Sequence, residues 1–228
     1  MRLLNFTKVI TFLSRKLTNS KEPLERIKIR GHRSFVGGGT SEAWYGHGMF
    51  MYHFLIKNGL KSSDKFLDIG CGSLRIGQYI IPFLETGNYF GLEPEKVLIE
   101  KGLKNELNFN IDQLKKPSFT SNYAFDFSFC QEYDVALAQS VFSHLTIEDI
   151  KKCFLSLKKI SKKSSLFYYT YFDGDSSSNP KGPSHANKTW KYKYDQLKNV
   201  ASENGFSSEY LGDLGHKAGQ KFVVCKFL

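Results

Sequence analysis

Apolar positions along the chain alternate between short continuous runs and runs at helical spacing. Phe66, Leu67 and Ile69 form a brief apolar run that stops at Gly70-Cys71-Gly72. Ile76, Tyr79, Ile80 and Phe83 then recur on one helical face, and Tyr89, Phe90 and Leu92 form the next run. Residues 65–94 therefore read as strand, glycine turn, helix, strand. A helix over 95–103 follows, and a third strand is expected near Phe119–Tyr123 inside the poorly patterned segment 104–132. Val135 to Ala138 is a continuous apolar run of the kind buried inside a parallel sheet. A helix over 147–160 opens on Thr146 as N-cap with Glu148 and Asp149 in its first turn, and closes on Lys158 and Lys159. Leu166–Tyr171 is the fifth strand, Tyr194–Asn204 a helix closed by Gly205, and Phe206–Leu211 and Lys221–Phe227 the last two strands.

Upstream, 49–59 reads as a helix ended by Gly59. Residues 2–17 read as an amphipathic helix with Leu3, Phe6, Val9, Ile10, Leu13 and Leu17 on one face, fit to pack on the domain or a partner, or to lie on a membrane surface. Two segments look loop-like. Residues 31–48 hold the hinge-like Gly37-Gly38-Gly39, a helix start at Thr40 or Ser41, and Trp44, Tyr45 and His47. Residues 173–190 are rich in Ser, Asn, Gly and Pro. Either is suited to cover a ligand or to be an ordinary surface loop, with Trp44 filling a gap in the core.

Composition adds bounds. A chain of 228 residues fits one α/β domain, with neither an internal repeat nor a second domain. The net charge of +10 is concentrated in residues 1–33, where nine Lys/Arg face two Glu. That divides the chain into a basic arm, 1–33, and a near-neutral domain, 34–228. The arm is a contact for an anionic membrane surface, a nucleic acid or an acidic partner, or a solvated basic face. Cys71, Cys130, Cys153 and Cys225 show no metal-ligand spacing, so neither a zinc site nor a disulfide framework is expected. No stretch approaches the ~20 apolar residues of a membrane span, and Lys8 interrupts the apolar N-terminus, so a cytoplasmic location is the default.

The glycine turn carries the chemistry. Glu93 ends the second strand about 20 residues past the turn, where a βαβ nucleotide site holds ribose hydroxyls. A dinucleotide G-x-G-x-x-G would need glycine at position 75, where Arg75 stands. Asp68 beside the turn repels a pyrophosphate and suits a ligand bearing an ammonium. With LDIGCG before it and GLEP after it, this stretch resembles motifs I and II of the class I S-adenosylmethionine (SAM)-dependent methyltransferases. The segment GCGSLRIG looks like a subgroup of small bacterial enzymes, several associated with sugars or secondary metabolites. One departure is Leu74, where the family motif continues with glycine.

The resemblance implies a Rossmann-like α/β fold: a seven-stranded, mostly parallel sheet, order 3-2-1-4-5-7-6, with helices on both faces and the last strand antiparallel. It implies SAM as cofactor, bound by Asp68, Gly70, Cys71, Gly72, Glu93 and Pro94. Asp126 and Phe127 would lie by the adenine, and Gln139 and Ser140, at the end of the fourth strand, by the methionine part. Trp44, His47, Asp173 and Trp190 are candidate lid or substrate residues, and His144, His185 and His216 candidate bases, of which one or two at most would act.

Some acceptors are disfavoured. The chain has no Asp/Asn-Pro-Pro-Tyr/Phe tetrapeptide, no Pro-Cys nucleophile and no strongly basic core, which argues against nucleic acid. An O- or N-methylated small molecule or saccharide is the expected acceptor. The alternatives are a protein or RNA methyltransferase docking through the arm, an inactive SAM-binding scaffold, and a nicotinamide dehydrogenase, which Asp68 and Arg75 disfavour.

Overall fold

The computed structural model describes residues 22–228; the helix expected over 2–17 lies outside them. The described chain opens with α1 (Pro23–Arg30), α2 (His32–Phe35), a π-helical turn (Glu42–Gly46) and α3 (His47–Lys57). Then come β1 (Phe66–Ile69), α4 (Gly77–Phe83), β2 (Tyr89–Leu92), α5 (Lys96–Glu106), α6 (Ile111–Lys115) and β3 (Ser118–Thr120). The second half holds β4 (Tyr133–Ala138), a short 3-10 turn (Phe142–His144), α7 (Ile147–Lys158), β5 (Ser161–Asp173) and a second 3-10 turn (Ser176–Ser178). β6 (Lys191–Tyr192), α8 (Tyr194–Glu203), β7 (Phe206–Gly212) and β8 (Lys221–Phe227) complete it.

The sheet runs β3-β2-β1-β4-β5-β8-β7, the expected order once β6 is counted. β6 is a two-residue strand beside β5, too short to leave a pattern in the sequence. β1 to β5 pair in parallel, and β8 is antiparallel to both β5 and β7. The central strands are covered on both faces, and alternate residues feed two cores. Leu67, Ala136, Phe167 and Tyr169 pack with α7 and α8, whereas Phe66, Leu137 and Tyr168 pack with α3 and α4. Each leucine or phenylalanine among them contributes on the order of 1.5–3 kcal/mol on burial.

Two expectations change. The boundary at residue 33 falls inside a packed region, because Arg33 of α2 forms a bidentate ion pair with the buried Glu106 of α5, at 2.8 Å on both sides. Segment 31–48 is mostly helical, and Trp44 is fully buried, donating from Nε1 to the same Glu106 at 2.9 Å. Trp44 is therefore a core residue, fixed by a carboxylate distant in sequence, and no part of a lid.

Candidate active site

Strand register assembles the site. Ile69 of β1 lies opposite Leu92 of β2, so the next residues of each strand, Gly70 and Glu93, emerge together at the carboxyl edge of the sheet. The N–H groups of Gly70 and Cys71 both donate to the Leu92 carbonyl, at 2.7 and 3.0 Å. Gly72 N–H donates to Glu93 Oε2 at 3.1 Å, and Glu95 N–H to Oε1 at 3.0 Å. Gly70 and Gly72 have φ of 72° and 56°, and a Cβ on Gly70 would fall 2.6 Å from Val141 Cγ2. Turn and packing both demand glycine at position 70.

Leu74 takes φ of 65°, the left-handed conformation that the family's usual glycine would adopt freely. Its side chain is fully buried where α4 and α5 meet, and a Cβ on Gly77 or Gly102 would lie only 3.0 or 2.7 Å from it. Two glycines thus make room for one strained leucine. The departure is a packing exchange that leaves the turn in shape.

Beyond the turn lies a cavity of about 880 Å³. Asp68, Gly70, Cys71, Gly72, Glu93, Pro94, Gln139 and Ser140, the residues read from the sequence as cofactor-binding candidates, all line it. Residues 34–37, 183–187 and 216–218 border it from above, with Arg30 of α1. Asp68 accepts from Tyr89 OH at 2.7 Å, and burial raises its pKa to about 6 against the pull of Tyr89 and Arg75. Burial likewise raises Glu93 to about 7, against its two backbone donors. Buried carboxylates held this far from ordinary values gain from a ligand that brings hydroxyl or ammonium donors.

The histidines fall into two pairs. His47 and His216 stand at the end of β4, ring centroids 4.7 Å apart and nearly perpendicular. Gln139 Nε2 and His216 Nε2 are 3.0 Å apart, and Ala218 N–H donates to His216 Nδ1 at 3.2 Å. Burial, then the charge of nearby Arg75, lowers His47 to about 3 and His216 to about 4. His144 and His185 form the second pair, joined by the His185 N–H donating to the His144 carbonyl at 3.1 Å. His144 Nδ1 donates to the Lys188 carbonyl at 2.7 Å, which leaves Nε2 the lone pair of a neutral ring; burial lowers its pKa. His185 is exposed on the cavity rim.

Other expected residues lie elsewhere. Asp126 is exposed, its Oδ1 accepting from Ser128 N–H at 2.9 Å in a local turn, and Phe127 packs in the core. Asn122, Tyr123 and Phe125 line the cavity in their place. Asp173 points to solvent near Lys193 because strand alternation turns its neighbour Phe172 inward. Trp190 is a core residue. Arg75, at the cavity floor, was read from the sequence only as a missing glycine; its direction depends on contacts with Gln139, far along the chain.

Residues 67–166 match the methyltransferase-domain family. No curated protein matches the chain in sequence. Among solved structures, the magnesium protoporphyrin IX methyltransferase from Synechocystis PCC 6803 with bound SAM aligns with a TM-score of 0.63 at 14% identity, over 95% of this chain and 96% of that one. The glycopeptide N-methyltransferase MtfA aligns at 0.61 and 12% identity, over 79% and 90%. DesVI from Streptomyces venezuelae aligns at 0.59 and 13% identity, over 82% and 93%.

Proposed function

From a chain whose residues 67–166 are a methyltransferase domain, in the class I SAM-dependent fold, we propose transfer of a methyl group from SAM to an O or N atom of a small-molecule or saccharide acceptor. The observation that carries this reading is the pair of buried carboxylates, Asp68 and Glu93, flanking the Gly70–Gly72 turn on one cavity wall. The residues fit the cofactor: Asp68 suits its ammonium, Glu93 its ribose hydroxyls, and the turn a close backbone approach. Tyr123 and Phe125 are the proposed neighbours of its base. SAM bound there would supply an electrophilic methyl group on a sulfonium.

The chain's own residues then have to orient the acceptor and exclude water. Gln139 and Ser140 are proposed to border the reacting atoms from the end of β4. His47 and His216 are weak bases, held neutral by burial and by Arg75. His144 Nε2 is the better placed to take a proton from a hydroxyl or ammonium acceptor. A cavity of about 880 Å³ lies in the upper range of small-ligand sites, consistent with cofactor and acceptor together. The solved magnesium protoporphyrin IX and glycopeptide methyltransferases share this fold.

We assign the reaction to the cytoplasm, and the basic segment ahead of residue 22 to contact with a membrane surface or partner, since Arg26, Ile27 and Arg33 pack on the domain. The test is a SAM-consumption screen over sugar, phenol and amine acceptors beside an Asp68→Ala control, with calorimetry of S-adenosylhomocysteine (SAH). Turnover that Asp68→Ala abolishes supports the reading. Failure to bind SAM or SAH at millimolar concentration overturns it.

A further inference from the structure

Residues 184–190 are tied at both ends to the turn that carries His144. His185 N–H donates to the His144 carbonyl at 3.1 Å, and Trp190 N–H to the Ser143 carbonyl at 2.9 Å. Between them, Lys188 N–H donates to the His185 carbonyl at 2.9 Å, a tight turn that brings the Lys188 carbonyl to His144 Nδ1. A carbonyl can only accept, so Nδ1 keeps the ring proton and Nε2 the lone pair. That carbonyl comes from 44 residues further along the chain.

Ser184 fastens the leading end of the segment. Its Oγ accepts from Thr146 N–H at 2.9 Å and donates to Asp149 Oδ2. Asp149 Oδ1 in turn accepts from Lys152 Nζ at 2.8 Å. Thr146 is the N-cap of α7 and Asp149 lies in its first turn, so the Ser184 hydroxyl is anchored on a helix. Ser184, Asp149, His144 and His185 all line the cavity. Alanine at position 184 would remove both hydroxyl bonds and leave the leading end held by the His185 N–H.

We propose that Ser184, anchored by Asp149, is a positioning residue that sets the orientation and tautomer of His144. On the methyltransferase reading it thereby aims the Nε2 lone pair at the acceptor's proton, without touching the reacting atoms itself. The catalytic consequence rests on that reading; the tautomer is a property of the free chain.

Long-range 1H–15N NMR of the full chain at pH 8 tells a protonated ring nitrogen from a bare one, with the His144 signals assigned by their loss in His144→Gln. The unaltered chain should hold the proton on Nδ1. Ser184→Ala should move it toward Nε2, and Ser184→Thr, which keeps the hydroxyl, should leave it on Nδ1. Asp149→Ala, which removes the anchor, should act like Ser184→Ala and decides the matter if that variant does not fold. Unchanged His47 and His216 ring signals mark a variant as folded. With any acceptor that turns over, Ser184→Ala should lower kcat about ten-fold or more at unchanged SAM affinity, and Ser184→Thr should restore it. A proton on Nε2 in the unaltered chain, or one still on Nδ1 in the folded variants, overturns the proposal. So does a shifted tautomer with unchanged kcat. If SAH does not bind and no acceptor turns over, the methyltransferase reading fails, and the NMR comparison still decides whether Ser184 sets the ring.

Discussion

The Gly72 backbone N–H donates to Glu93 Oε2 across the carboxyl edge of the sheet, tying the turn after β1 to the end of β2. The carboxylate that is proposed to meet a ribose is thus also the brace of the glycine turn.

That double role makes a pH prediction. Glu93 holds its proton up to about pH 7 in the folded chain, against 4.5 ordinarily, so its contribution to folding stability declines as pH rises between those values. SAH affinity runs the opposite way, since the ionised carboxylate is the better acceptor. Calorimetry between pH 5.5 and 8.5 should show binding tightening with pH. Glu93→Gln should flatten that slope, and Glu93→Ala should weaken SAH by about ten-fold or more. An unchanged affinity in Glu93→Ala would remove the residue from the cofactor site.

His47 and His216 should stay neutral well below the usual histidine range, near 3 and 4. The ring C2 proton shifts, followed by NMR titration, report this directly. Arg75→Gln should raise both midpoints, because the Arg75 charge is among the causes that lower them. Midpoints between 6 and 7 in the unaltered chain would contradict the buried, cation-flanked corner.

Leu74→Gly tests the strained leucine. Glycine relieves about 1–3 kcal/mol of left-handed strain. It also leaves a void between α4 and α5, and emptying a buried leucine site costs about 3–5 kcal/mol. The expected net loss is about 1–3 kcal/mol, read by urea denaturation. A variant more stable than the parent would show that the turn, and not the packing, sets the energy at this position.

Glu106→Gln removes the charge that Arg33 shares through two hydrogen bonds, in the group that also holds Trp44 Nε1. Arg33 is partly exposed and can recover water, so the expected loss is about 2–4 kcal/mol. Trp44 should become more solvent-exposed, shifting its fluorescence to longer wavelength. An unchanged spectrum and melting temperature would mean that α2 and the π-helical turn are held by other contacts.

Much of the fold was legible because its strands are short apolar runs buried on both faces, and its cradle is a local pattern: Asp68, Gly70, Gly72 and Glu93 lie within one βαβ unit. β6 was illegible because two residues carry no period. In residues 31–48 the helix start at Thr40 or Ser41 was legible, but the choice between a lid and a core role for Trp44 was not, because its partner Glu106 is distant in sequence. Asp126 and Phe127 lie off the cavity, which Asn122, Tyr123 and Phe125 line instead, because the path of this segment is set by turns around Asn122.

The sequence by itself determined the strands and the Gly70–Glu93 cradle, since these follow from hydrophobic period and turn chemistry, while the strand order came only with the family resemblance that the cradle motifs carry. Only the tertiary structure decided what faces the cavity. Arg75, His47, Gln139 and His216 come from four separate parts of the chain, and no periodicity links them. Their burial together, with Arg75 bonded to Gln139 and the His47 and His216 rings edge to face, is a property of the packed corner alone.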